Sequence, residues 1–437
     1  MKIVQAVGWF YPDSLGGTEV YVAGLCRRLQ RAGHEAIVAA PDAGGGGERT
    51  YEHDGIAVYR YPIASAPTRA ECQGRVTVRG AERFHAWLGM KRPDIVHMHT
   101  FVTGLGLREL QAAAAAGART IVTTHSGALG YVCQRGTLMR WGEEPCDGVS
   151  EPSKCAACEL QHRGLPKPLA RALGSIPPSI ARAGRGLPGK LGTALGMSAL
   201  IAENQAMQRQ MLAGADRFVV LTRWALEAVV ANGASREKLG LNRLGSGHEK
   251  VVRKRGAEEC PTSLPVTVGY LGRLDAIKGV HDLARAASSL PRALPISIEF
   301  RGPSERRVRA EIEALVGGDP RVSFAAPVAE HEALDVLARY DVLCCPSVCH
   351  EGGPTVAIEA HAVGTPVIGT RIGGLAELVT DGVNGRLVRP GDWRGLARVL
   401  REIAADPAGT IDRWRGALPP ARTMDEVAAE YLALYAV

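Results

Sequence analysis

Glu351-Gly352-Gly353-Pro354-Thr355-Val356-Ala357-Ile358-Glu359 follows an apolar run, Asp341 to Cys345, that ends at Pro346. The run reads as a buried strand and the segment as a turn feeding a helix. Its Gly pair permits close backbone approach, and Pro354 suits a first helical position. Free N–H groups at such a helix start attract an anion, and the helix dipole adds to the attraction. Glu351 before the turn and Glu359 about two turns along are placed to accept hydroxyls on either side of that cradle. Taken alone, the segment also reads as an ordinary Gly-Pro turn before a helix with two solvated glutamates.

Outward from this segment, short runs rich in Val, Ile, Leu and Ala alternate with helical patterns along the whole chain. The first series is Lys2 to Val7, Glu35 to Ala40, Ala57 to Tyr61, Asp94 to His99, Arg119 to Thr124 and Arg217 to Leu221. The second is Val266 to Leu271, Ile296 to Arg301, Arg321 to Ala325, Asp341 to Cys345, Pro366 to Gly369 and Gly385 to Val388. Nearly continuous apolar strands signal parallel sheets covered on both faces by crossover helices. Two doubly wound, Rossmann-like α/β domains facing across a cleft are expected, with ligands at the carboxyl ends of the strands. The expected boundaries are 1–247 for the first domain, with an insertion over 126–210, then a charged, Pro-containing linker at 248–265. The second domain is expected over 266–411 and a C-terminal segment over 412–437. Met424 to Tyr435 carries apolar residues at helical spacing and is expected to pack back toward the first domain.

At 437 residues the chain is long enough for two cores. No run of 18 or more apolar residues occurs, so a membrane-spanning helix is not expected, and neither is secretion, because residues 1–10 lack a signal-peptide pattern. A cytoplasmic protein, with at most peripheral contact on the inner face of a membrane, is the expectation. The net charge of +7 is a mild excess that fits phosphorylated ligands or an anionic surface without identifying either. Nothing points to nucleic acid.

Tyr270-Leu271-Gly272-Arg273-Leu274-Asp275-Ala276-Ile277-Lys278-Gly279 places two cations at the ligand end of the second sheet. Arg and Lys there can neutralise the charge that develops on a diphosphate leaving group. At this point the chain resembles the retaining family 4 glycosyltransferases of the GT-B fold. Glu351 to Glu359 resembles their E-x7-E motif, and Gly272-Arg273-Leu274 with Lys278-Gly279 their G-R-L-x3-K-G motif. Further similarity lies in Gly16-Gly17-Thr18-Glu19, Gly33-His34-Glu35, Asp94 to His99, Thr124-His125, Ile372-Gly373-Gly374 with Glu377, and Asp381 to Gly385. Where many members have an Asn-Gly turn before the linker, this chain has Asn242-Arg243-Leu244-Gly245.

The resemblance implies a hexosyltransferase using a nucleotide sugar, a UDP-sugar by preference, and retaining the anomeric configuration without a catalytic metal. It implies that Arg273 and Lys278 contact the diphosphate, Glu351 the sugar hydroxyls and Glu359 the ribose. Gly352, Gly353, Pro354 and Thr355 would line the phosphate and sugar site, Val328 would meet the base, and Gly17 would close over the phosphates. His125 would sit beside the sugar. His97, on the same strand face as His99, reads equally well as a core residue. The acceptor stays open among a glycan, a lipid-linked glycan, a small metabolite and a protein side chain. An NDP-sugar epimerase of the same architecture and a non-catalytic nucleotide-sugar-binding protein are the alternatives. The paired motifs argue against the first, and the complete set of charged residues against the second.

Cys133-x12-Cys146-x8-Cys155-x2-Cys158 lies outside the resemblance, in a segment with little apolar material. A tetrahedral four-thiolate zinc site would stabilise such a loop, with an iron–sulfur cluster as the rival. The following stretch, Leu160 to Gln210, interleaves cations with Leu and Ile. It reads as a membrane-facing surface, or as a mobile loop or helix pair cut by prolines.

Overall fold

The computed structural model describes all residues except 15, 45, 126, 248–263 and 437, so most of the expected linker lies outside the described residues. The chain divides into two compact units. The first comprises Met1–Gly142, Cys146–Arg243 and Met424–Val437, and the second Glu143–Pro145 and Leu244–Thr423.

The strands of the first unit's main sheet are β1 (Lys2–Ala6), β2 (Glu35–Asp42), β3 (Arg49–His53), β4 (Ile56–Pro62), β5 (Ile95–Met98) and β6 (Arg119–Thr123). After a short ribbon of β7 (Met139–Arg140) and β8 (Glu144–Pro145) come β9 (Arg217–Val220) and β10 (Leu239–Leu241). The sheet order is β10-β9-β6-β5-β1-β2-β4-β3. All pairs are parallel except β3 with β4. That antiparallel edge corrects the all-parallel expectation. Its residues, Arg-Thr-Tyr-Glu-His, are mostly solvent-facing, so the strand carries no apolar run to betray it.

In the second unit, β11 (Val266–Leu271), β12 (Ile296–Arg301), β13 (Val322–Ala325), β14 (Val342–Cys345), β15 (Val367–Thr370) and β16 (Gly385–Val388) form a parallel sheet, ordered β13-β12-β11-β14-β15-β16. Its central strands β14 and β15 are buried along their whole length. The chain runs from β11 outward to β13, then returns to β14 on the other side of β11. The crevice beyond the carboxyl ends of β11 and β14 is thus this sheet's topological switch point, where ligands bind in such sheets.

The second unit continues past 411, because Trp414 and Arg415 are fully buried within it and Trp414 joins its core. The change of unit falls at the helix Met424–Ala436. That helix packs on the first unit through buried Met424, Val427, Tyr431 and Tyr435, and through Asp425 Oδ1, 2.7 Å from Arg28 Nε.

The insertion is neither a mobile loop nor a helix pair. Five helices occupy it: Pro152–His162, Lys167–Gly174, Pro178–Gly184, Gly189–Leu195 and Met197–Gly214. Its prolines sit at helix starts, where a missing N–H costs nothing, so they punctuate the helices without breaking them. Ala156, Leu160, Ala170, Met197, Leu200 and Ile201 form a small core between them.

Candidate functional site

Three loops converge at the switch point of the second sheet, and glycine lets them do so. A Cβ on Gly279 would stand 1.9 Å from the carbonyl oxygen of Pro346, and Gly279 also has φ +72°. A Cβ on Gly373, at φ +58°, would stand 2.6 Å from the carbonyl of Glu351. Backbone hydrogen bonds tie the same loops, Val348 N–H to Ile277 O at 2.9 Å and Gly374 N–H to Glu351 O at 2.8 Å. Backbone-on-backbone packing of this kind leaves no room for any other residue.

Within that frame Lys278 Nζ stands 2.5 Å from Glu351 Oε1, with the two side chains 31% and 18% exposed. The ammonium is therefore largely shielded from solvent and aimed by a carboxylate. Cys349 Sγ donates to the same carboxylate oxygen at 3.6 Å. Burial, then the charge of Glu351, pushes the Cys349 thiol up to about 12, so it stays protonated. Arg273 is 62% exposed and lies 3.4 Å from Asp275, while its carbonyl accepts from Tyr270 Oη at 2.6 Å. Its backbone is thus held by Tyr270 while its side chain stays mostly in solvent.

The helix Thr355–Val363 begins at Pro354 with no side-chain cap. The Ala357 N–H bonds back to the Pro354 carbonyl, and a helix start with no side-chain cap favours an anion. Glu359 is half-buried one turn into this helix, and Val328, in the loop after β13, packs on the apolar cluster around Leu343 and Ala357. The structure thus brings Lys278, Glu351 and the 352–355 turn together directly, with Arg273 and Val328 on neighbouring loops of the same unit.

His125 and Gly17 belong to the first unit. Gly17 opens the helix Gly17–Arg31, whose N-cap Gly16 likewise offers no side-chain cap. His125 follows β6 and packs edge-on to Tyr21, with ring centroids 4.7 Å apart. Its Nε2 lies 3.0 Å from His99 Nδ1, and His99 Nε2 lies 2.6 Å from Gln5 Oε1. Since the amide oxygen can only accept, His99 Nε2 carries the proton and His125 Nε2–H donates to His99 Nδ1. Burial lowers the His125 pKa to about 4, so the ring is neutral near pH 7. His97 is fully buried, bonded to Tyr435 Oη at 2.6 Å and Thr123 Oγ1 at 2.7 Å. It ties the C-terminal helix to the sheet. Cys349 reads from the sequence only as a small buried side chain, and Asp275 and the tyrosines that hold this network had no role assigned, because their roles depend on neighbours distant along the chain.

Cys133, Cys146, Cys155 and Cys158 line one cavity of about 40 Å³. Backbone N–H groups donate to two of the sulfurs, Trp141 to Cys158 at 3.3 Å and Glu151 to Cys155 at 3.4 Å. Among the described residues, however, no three His, Cys, Asp or Glu side chains converge closely enough to hold a metal ion. Burial raises the Cys146 thiol to about 11 and pushes the Cys155 thiol up as well.

Comparison with known proteins follows the two units. A family model described as "Glycosyl transferase 4-like domain" matches residues 16–245, and one described as "Glycosyl transferases group 1" matches residues 265–406. The chain is 35% identical over 189 residues to a D-inositol 3-phosphate glycosyltransferase of Corynebacterium urealyticum, covering 41% of this chain and 43% of that one. A Streptomyces avermitilis protein of the same name is 27% identical over 346 residues, 74% of this chain and 61% of that one. The chain thus spans less than two thirds of the length of these relatives. Among solved structures, Anabaena HepE in complex with UDP superposes with a TM-score of 0.62 at 15% identity, covering all of both chains. Sucrose-phosphate synthase from Thermosynechococcus elongatus gives 0.64 at 19%, covering 100% of this chain and 98% of that one.

Proposed function

The chain belongs to the glycosyl transferase 4-like family and has the GT-B fold, and from that premise we propose that it transfers a sugar from a nucleotide sugar, a UDP-sugar by preference, to an acceptor hydroxyl. The observation that carries this reading is the Lys278–Glu351 pair set against the uncapped start of the helix Thr355–Val363. A cation and free N–H groups suit a diphosphate, and an adjacent carboxylate suits sugar hydroxyls. HepE was solved with UDP-glucose as well as with UDP, which supports the choice of donor class.

In the proposed reaction, the acceptor oxygen bonds to the anomeric carbon on the face from which the diphosphate leaves. The bond from that carbon to the phosphate oxygen breaks, and the acceptor's proton passes to the departing phosphate, so configuration is retained. Lys278 and Arg273 offset the charge growing on the leaving group and Glu351 orients the sugar. No step requires a metal. Neutral His125, its proton directed at His99, offers Nδ1 as an acceptor. Incubating the protein with a panel of nucleotide sugars, with and without EDTA, and following nucleoside diphosphate release by mass spectrometry tests the assignment. Release from none of them, with no UDP binding by calorimetry, overturns it.

Two subsidiary proposals concern the insertion. A four-cysteine zinc site is supported by the shared cavity and the two N–H···S contacts. Peripheral contact with an anionic membrane is supported by the exposed Leu169, Ile180, Leu187 and Leu191 beside Arg171, Arg182 and Lys190. No described helix is long and apolar enough to cross a membrane.

A further inference from the structure

The first unit contains a second cavity, of about 410 Å³, beyond the carboxyl ends of β4, β5 and β6. Its walls come from the loops after those strands and from the helix Met197–Gly214, which contributes Asn204 and Met207. Four charged side chains line it, Glu71, Glu109, Arg108 and Arg135, and their charges are not equally spent.

Both carboxylates are already satisfied by the protein. Glu71 accepts from Arg79 Nε and Arg79 N at 2.9 Å and from Thr68 N at 2.6 Å, and these bonds hold its pKa down at about 2. Glu109 accepts the Gly106 N–H at 2.7 Å and lies 3.6 Å from His85 Nε2. The arginines have only neutral partners. Arg108 donates to the Arg75 carbonyl at 2.7 Å and to Gln111 Oε1 at 3.4 Å, and Arg135 to Cys158 Sγ at 3.7 Å. The Nε of each is buried and unbonded, and among the described residues neither guanidinium has a carboxylate within ion-pair distance. Two partly desolvated cations facing one cavity without an ion-pair partner are costly unless a ligand supplies one.

We propose that this cavity binds the acceptor as a hydroxylated, anionic molecule, a polyol phosphate, with Arg135 and Arg108 meeting its charge. The word acceptor rests on the glycosyltransferase reading, whereas the anion site itself does not. Arg135 joins this cavity to the cysteine cluster, since its other side faces Cys158. The same chemistry is offered by a free sugar phosphate and by an inositol phospholipid headgroup. The cavity's size suits either.

The test is calorimetry on the full chain with glucose 6-phosphate against glucose, and flotation with vesicles of phosphatidylcholine with or without phosphatidylinositol. UDP affinity is measured alongside as a control for folding and for the donor site. The expected result is binding of glucose 6-phosphate, or of the phosphatidylinositol vesicles, at least about tenfold tighter than the neutral counterpart. Arg135→Gln should remove most of that preference and Arg108→Gln part of it, with UDP affinity held. Which arm responds identifies the source of the phosphate. Equal affinity for charged and neutral probes, or a preference that survives the double variant, overturns the proposal. Loss of UDP binding in the unmodified protein would instead refute the donor-site reading.

Discussion

Lys278→Ala is the substitution with the largest expected effect on turnover. In the resting protein the ammonium is 2.5 Å from Glu351 and about one third exposed, so part of its field is screened by solvent. At about 4 Å and an effective dielectric near 20, a unit charge pair interacts by about 4 kcal/mol. Screening at this exposure reduces that to about 3 kcal/mol, which corresponds to a loss of roughly 10²- to 10³-fold in kcat. The contact strengthens as charge moves onto the leaving diphosphate, so kcat should fall more than donor affinity. Removing the ammonium also strands Glu351, which is only 18% exposed. Glu351→Gln is therefore a useful companion, because it retains the shape and removes the charge. The assay is steady-state UDP release from UDP-glucose, with UDP binding by calorimetry and thermal unfolding as controls. Turnover of Lys278→Ala within about tenfold of the parent, with the fold intact, would refute the role of this cation.

Stability should fall on acidification below the unfolded histidine pKa of about 6.5, because burial holds His125 and His350 near 4 and pushes His97 and His99 down as well. The unfolded chain then binds more protons, so each group's contribution, complete above pH 6.5, is lost toward pH 4 at about 1.4 kcal/mol per pH unit; a flat urea midpoint over that range contradicts it. Tyr435→Phe removes the hydroxyl shared by Gln5 and His97 and should cost about 1–3 kcal/mol in chemical denaturation, whereas an unchanged midpoint would show the network to be incidental. Elemental analysis should find about one zinc per chain, lost in a Cys155→Ser/Cys158→Ser variant, with activity surviving brief EDTA treatment. Metal-free protein with four titratable thiols ends the zinc proposal. Leu169→Ser/Leu191→Ser should weaken flotation with anionic vesicles at low salt, and a parent protein that never floats removes the membrane reading.

How far the sequence reaches depends on whether a signal is local. Strands such as β11, β12 and β16 carry their own apolar runs and were legible to the residue, and the helix start was legible to within one residue, Pro354 being its N-cap instead of its first residue, because Gly-Gly-Pro is a backbone instruction in itself. The same kind of local signal singled out Arg273, Lys278, Glu351 and Glu359, and the structure sets Lys278 against Glu351. The edge strand β3 was not legible, since its side chains face solvent and its pairing with β4 is its only reason to be extended. Nor was the true extent of the second unit, which depends on Trp414 finding a core to which β11, β12, β14 and β15 all contribute.

Pairings between distant residues belong to the tertiary structure alone. Only the fold sets Lys278 against Glu351, turns the His125 proton toward His99, and gives Glu71 to Arg79 while leaving Arg108 and Arg135 without a carboxylate among the described residues. The sequence by itself determined which backbone shapes and which charges were present. Whether a given charge was spent on the protein or left for a ligand was decided by packing, because Coulomb and hydrogen-bond energies depend on separations of a few ångströms that chain order does not specify.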